Sequence, residues 1–363
     1  MRLTFCLLLT FIHKSANLGE ILNEAMISQW LKDPRAEYNS ATETVKACLR
    51  SFRLHRRHKN LVWETYLMAM SNEPLGTVHQ KPNGEAESGA VLGIDVGWSP
   101  KKSTTGLCLI EWTNRETNLF CSEVGVDDRQ EKLSQLIQGR RLLAVGIDGP
   151  LIPKLKTTKQ YRSAEALLSR GKFRYRGKPG PTNGGSGPEL HKQATILAKL
   201  TLRTQDVGLA AYHFKIHEKA VVEAFPNAFL AVLHPDDGFP LRPEVPRRWT
   251  DTLFPRLHQK IEELLVFLLP QHKTSFNLRD IHSHEGIASF ICALTALCVT
   301  FGRCIAVGDR ELGYVVLPPL EYWGKCTRGS HLWASDTLRN NLASVRSRFN
   351  DVALYRDNKP WVP

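Results

Sequence analysis

Ala90-Val91-Leu92-Gly93-Ile94-Asp95-Val96-Gly97 is the stretch on which the fold turns. An apolar run that ends in one acid and a glycine is the pattern of a buried strand with a carboxylate at its open end. Leu142-Leu143-Ala144-Val145-Gly146-Ile147-Asp148-Gly149-Pro150 repeats the design. Asp95 and Asp148 are therefore expected at two strand tips. Between them, residues 106–112 and 119–126 read as two further strands, with a polar hairpin turn at 114–118. Asp128 is placed to cap a short helix that carries Leu133, Leu136 and Ile137 at helical spacing. Three strands, a helix and another buried strand predict an α/β protein with a mixed sheet flanked by helices.

Composition bounds what such a sheet can serve. The 363 residues leave room for one large domain or two modest ones, and 42% hydrophobic with 23% charged residues is ordinary for a globular chain. The formal charge of +12 favours an anionic partner, nucleic acid or a phosphorylated substrate. Eight cysteines without a Cys-x-x-Cys pair argue against a zinc ribbon and a dense disulfide framework, leaving reduced core thiols. Arg2 and the apolar run 3–12 imitate a secretion signal, but 13–17 lacks a small-x-small cleavage site. No apolar run approaches the ~18 residues of a membrane span. The expectation is a soluble, cytoplasmic protein without a membrane partner.

Residues 1–70 are expected to form a helical extension, in which the cations of 53–59 line a solvated face. Met68 or Met70 offers an alternative start, which would make the upstream segment a gene-model artefact. Residues 71–88, rich in Asn, Pro, Gly, Glu and Ser, read as a linker. The domain proper is expected over 89–326, and 327–363 as a polar, basic tail.

Inside the domain, residues 153–188 hold nine Lys and Arg against the single acid Glu165, interleaved with Tyr161, Phe173 and Tyr175. Cations bind backbone phosphates and aromatic rings stack on bases. Lys101, Lys102, Arg162, Lys172, Arg174, Tyr175 and Arg176 are the candidate nucleic-acid contacts; a solvated insertion without a ligand is the alternative. Residues 189–207 read as a helix, and Glu223 then interrupts the apolar strand 220–226. Burying that acid requires a cation, a metal or solvent, and a salt bridge to an insertion arginine is the bland solution. Residues 253–268 give a helix with an apolar stripe, and 282–297 a buried helix with Ser283 as N-cap and Glu285 in its first turn, where the helix dipole favours an anion. His282 and His284 are weak metal candidates. Residues 304–307 and 313–318 read as a strand pair.

Hard divalent cations take oxygen ligands, and two of them can activate a water and stabilise the leaving oxygen of a phosphodiester. Asp95, Asp148, Glu223 and Glu285 are the catalytic candidates. Asp95, Asp148 and Glu285 are the expected ligands for Mg²⁺ or Mn²⁺.

The order of the Gly93-Ile94-Asp95 strand, Thr105-Gly106-Leu107, Gly146-Ile147-Asp148-Gly149-Pro150-Leu151, Tyr161-Arg162-Ser163-Ala164-Glu165, Val222-Glu223-Ala224-Phe225-Pro226, His284-Glu285 leading to Cys292-Ala293-Leu294-Thr295-Ala296, and Gly313-Tyr314-Val315-Val316-Leu317-Pro318 resembles the domain-of-unknown-function 429 family. That family is regarded as predicted nucleases of the ribonuclease H-like fold, and the resemblance spans roughly 89–319. It implies Asp95 on the first, middle strand, Asp148 on its neighbour, both as metal ligands, with Glu223 a possible third and Glu285 the helix acid. The chain departs from the family at Ala288, where relatives often carry an Asp. A metal-dependent nuclease is the expected function. The alternatives are a catalytically weak or inactive ribonuclease H-like binding module, and a phosphotransferase of the actin-like and sugar-kinase type that would cradle phosphate in the loop 99–105.

Overall fold

The computed structural model describes residues 88–363 except 100–101, 114, 153–160, 205–206, 209–219, 245–247, 327–330 and 350. All of these belong to the compact unit His79–Pro363. The extension expected over 1–70 and all of the expected linker but Ser88 lie outside the described residues.

The two acid-tipped runs are neighbouring strands. β1 (Gly89–Asp95) lies antiparallel to β2 (Thr105–Thr113) and parallel to β4 (Leu142–Asp148), and β2 lies antiparallel to β3 (Glu116–Val124). Arg115, at φ 70°, takes the left-handed conformation that closes the β2–β3 hairpin. β5 (Val221–Ala224) adds parallel to β4. Beyond it come β8 (Gly313–Leu317), parallel to β5, then β7 (Ile305–Asp309), β9 (Ala353–Arg356) and β10 (Lys359–Pro360), each antiparallel to its neighbour. With β6 (Lys273–Thr274) on the far edge, the described strands form one mixed sheet ordered β10-β9-β7-β8-β5-β4-β1-β2-β3-β6.

Eight helices are described: α1 (Arg129–Ile137), α2 (Ser163–Leu167), α3 (Gly187–Thr204), α4 (Pro226–Leu233), α5 (Trp249–Leu253), α6 (His258–Leu268), α7 (His284–Thr300) and α8 (Trp333–Arg346). Helix α7 is buried from Gly286 to Val299, which explains its apolar sequence all round. Ser283 caps it, its Oγ accepting from the Gly286 amide at 3.0 Å. Glycines set how closely this helix lies on the sheet. A Cβ on Gly93, Gly106 or Gly146 would run into the backbone at Ser289 and Ala293, Glu285, or Cys292 respectively. Three adjacent strands thus give up a side chain so that α7 can rest on their backbones. Leu92, Ile94, Val145 and Ile147 alternate with these glycines and point to the other face. They are fully buried, and α1 and α3 pack against this part of the sheet.

Residues 327–363 correct the sequence analysis. They are no appended tail: the segment supplies α8, β9 and β10, and β9 pairs with β7. Its Trp333 is buried against Phe173 at a ring distance of 5.2 Å, and its indole N–H donates to the His234 carbonyl at 2.9 Å. A second core forms there, with Leu338, Leu342 and Val345 of α8 against Leu167, Ile305 and Leu317. Among the described residues no helix is long and apolar enough to cross a membrane. The buried cysteines Cys108, Cys292, Cys298 and Cys304 are free thiols, as their spacing suggests.

Candidate functional site

Asp95 and Asp148 end level with one another: the parallel register pairs them directly. Residues in register share a face of the sheet, and Gly93 and Gly146, two positions earlier, face α7. Both carboxylates therefore project on the α7 side, at the C-terminal ends of their strands. Gly106 lies next to Asp95 on β2, and Glu123 next to Gly106 on β3. Because Gly106 has no side chain, the first turn of α7 comes down over it and brings Glu285 to the same end of the sheet.

Asp95 is only 1% exposed. Its Oδ1 accepts from the Lys102 ammonium at 3.0 Å, while Oδ2 is buried without a hydrogen-bond partner. An unmatched buried carboxylate oxygen costs about 1–3 kcal/mol or more, so it calls for a proton, a water or an ion. Burial pushes the Asp148 carboxyl up, the neighbouring Asp95 charge adds to this, and its pKa reaches about 7. Burial pulls Lys102 down, but Asp95, Asp148 and Glu285 outweigh it and hold the ammonium above its ordinary value. The loop after β1 is braced from both sides. The Gly97 amide donates to Thr105 Oγ1 at 3.2 Å, the buried Arg129 guanidinium donates to the Gly97 carbonyl, and Arg129 is itself steadied by Gln193 at 3.1 Å.

Among the described residues no three His, Cys, Asp or Glu side chains stand close enough to enclose an ion by themselves. Mg²⁺ does not require that. It is usually held by one or two carboxylates and fills its octahedron with water and substrate oxygens. Two level carboxylates, one with an orphaned oxygen, are donors of the right number and hardness. Comparison with protein-family models, curated proteins and solved structures finds no match.

Other expected site residues lie elsewhere. Glu223 is level with Ile147, not with Asp148, so it points to the opposite face of the sheet from the acid pair. There it is buried and gripped by Arg162, whose two terminal nitrogens reach its oxygens at 2.9 and 2.5 Å, and it also accepts from the Leu151 amide at 3.2 Å. Arg162 is 2% exposed and also binds Glu165 at 2.8 Å and the Leu312 carbonyl at 3.0 Å. Both are corrections: Glu223 is the partner of an insertion arginine, and Arg162 is buried and committed to Glu223, Glu165 and the Leu312 carbonyl. Lys172 and Arg176 both pair with Asp236 at 2.6 Å, and the Arg176 guanidinium lies 4.5 Å from the ring centres of Phe239 and Trp333. They fasten the insertion to the second core. Lys102 belongs to Asp95, and Lys101 lies outside the described residues. Of the insertion cations proposed to meet nucleic acid, Lys172 stays exposed in its surface pair with Asp236 and Arg174 stays exposed over the Tyr175 ring at 5.6 Å, and Tyr175 is 67% exposed.

Two neighbours of the site carry no signal in a linear reading. Asp251 of α5 takes the His284 Nδ1 at 2.6 Å; this bond raises the histidine's pKa against the effect of burial and leaves only Nε2 for a ligand. Glu123 extends the level row Asp148, Asp95, Gly106 and edges a cleft of about 600 Å³ lined also by Leu119, Phe276, His282 and Ser283. The hairpin register alone would have placed it.

Proposed function

We propose that the protein is a metal-dependent phosphodiesterase that cleaves nucleic acid, built on a ribonuclease H-like core. The observation that carries this is the level placement of Asp95 and Asp148 at the tips of adjacent parallel strands, with Asp95 Oδ2 buried and unpartnered. The strand order β3-β2-β1-β4-β5, a three-strand meander followed by two strands parallel to β1, supports the core assignment. Asp95 and Asp148 would hold Mg²⁺ or Mn²⁺, with Glu285 at the same end of the sheet. Such an ion, when bound, supplies a Lewis acid for the phosphoryl oxygen and lowers the pKa of a coordinated water.

The chain's own residues do the rest. Burial and the Asp95 charge raise the Asp148 carboxyl to about 7, and a cation bound to the pair would favour its carboxylate form. Lys102 keeps an ammonium on the same face, against Asp95 Oδ1. The insertion begins at this end of the sheet, anchored through Arg162 and Glu223, and offers Arg174 and Tyr175 to a strand of nucleic acid. Ala288, buried one turn after Glu285, leaves α7 a single acid for the site. That favours the second reading, a binding module without turnover. Labelled DNA and RNA oligonucleotides incubated with Mg²⁺ or Mn²⁺ decide between them: cleavage by the parent, lost in Asp95→Asn with its melting transition intact, supports the enzyme. Binding without cleavage under either ion supports the module.

A further inference from the structure

We infer that the Lys102 ammonium is a resident second cation, so that the strand tips take up a single divalent ion and not two. The inference rests on the assignment of Asp95 and Asp148 as the ion site. Lys102 Nζ already occupies one oxygen of Asp95, and the orphaned Oδ2 is left for one incoming ion. Charge balance points the same way. One ammonium and one divalent ion already match the charge of the level Asp95 and Asp148 carboxylates and more, whereas a second divalent ion beside the ammonium would leave the strand tips strongly positive.

Lys102 is also built to stay. Its amide donates to the Ser99 carbonyl at 3.0 Å and to Ser99 Oγ at 3.1 Å, and its own carbonyl accepts from the amides of Trp98 at 2.8 Å and Ser99 at 3.2 Å. The backbone of the residue is thus pinned by a tight turn next to β1. The side chain, 26% exposed, reaches from that turn to a carboxylate that is 1% exposed. A lysine is a compact point charge on a flexible stem, suited to stand where a small hard cation would otherwise sit.

Mn²⁺ titration followed by the electron paramagnetic resonance of free ion tests this on the full chain. The parent should bind one Mn²⁺ at a site lost in Asp95→Asn. Lys102→Met should bind a second Mn²⁺, or bind the first at least about tenfold more tightly, a gain of about 1.4 kcal/mol. Lys102→Arg, which keeps the charge, should behave as the parent. Equal stoichiometry and affinity in parent and Lys102→Met would overturn the inference and leave the ion site standing; no binding in either would overturn both. If Lys102→Met is unfolded without metal, restoration of its circular dichroism by Mn²⁺ supports the substitution of one cation for another. Failure to fold at saturating Mn²⁺, with Lys102→Arg folded, would overturn it.

Discussion

Replacing Asp148 with Asn should stabilise the metal-free protein at alkaline pH and leave it nearly unchanged at pH 4. Burial and the Asp95 charge raise the Asp148 carboxyl from its ordinary 3.8 to about 7. Below 3.8 the group is protonated in folded and unfolded chains alike and has no effect on their balance. Between 3.8 and 7 the unfolded chain gives up the proton and the folded one keeps it, so stability falls as pH rises, by about 1.4 kcal/mol per pH unit. Above 7 the full penalty persists. A displacement of this size corresponds to about 4 kcal/mol, and discounting for the mutual dependence of the two acids leaves about 2–4 kcal/mol. Asn keeps the shape and cannot ionise. Thermal melts of parent and Asp148→Asn at pH 4, 6 and 8, with chelator present, should separate progressively and differ by roughly 5–10 °C at pH 8. Parallel curves with no gain at pH 8 would show that Asp148 does not share a desolvated pocket with Asp95.

Four further outcomes follow from contacts outside the acid pair. Arg162→Met leaves Glu165 and Glu223 buried without their cation and should cost about 3–5 kcal/mol in urea denaturation, whereas an effect under about 1 kcal/mol would mean that the network is solvated. Trp333→Ala removes a buried ring from the second core and should cost about 3–5 kcal/mol, and a chain ending at Cys326 should show no cooperative melt. If that truncated chain melts at the parent temperature, α8 and β9 do not belong to the fold. Arg174→Glu combined with Tyr175→Ala should weaken oligonucleotide binding and lower the salt slope by about one, with melting unchanged.

The strand tips were legible because a buried strand tolerates an unpaired acid only at its end, so Asp95 and Asp148 announced both the strands and their termini. Ser283 and Glu285 were legible from capping chemistry alone. Glu223 was not. Whether it stands level with Ile147 or with Asp148 decides which face it takes, and that register is fixed across the long crossover between β4 and β5, where no local pattern operates. The partners of the cations were hidden for a related reason. Net charge cannot distinguish Arg174 from Arg162, Lys172 and Arg176, whose partners Glu223 and Asp236 lie some 60 residues away in sequence. In the last segment, a polar average concealed Ala334, Leu338, Leu342 and Val345, which stand at helical spacing and form the buried stripe of α8.

Crystals soaked in Mn²⁺ and measured for anomalous scattering test the central claim most directly. One peak between the Asp95 and Asp148 carboxylates, within about 2.5 Å of Asp95 Oδ2 and absent in Asp95→Asn crystals, is the expected result. No peak at the strand tips, at Mn²⁺ concentrations that occupy other acidic sites on the protein, would contradict it.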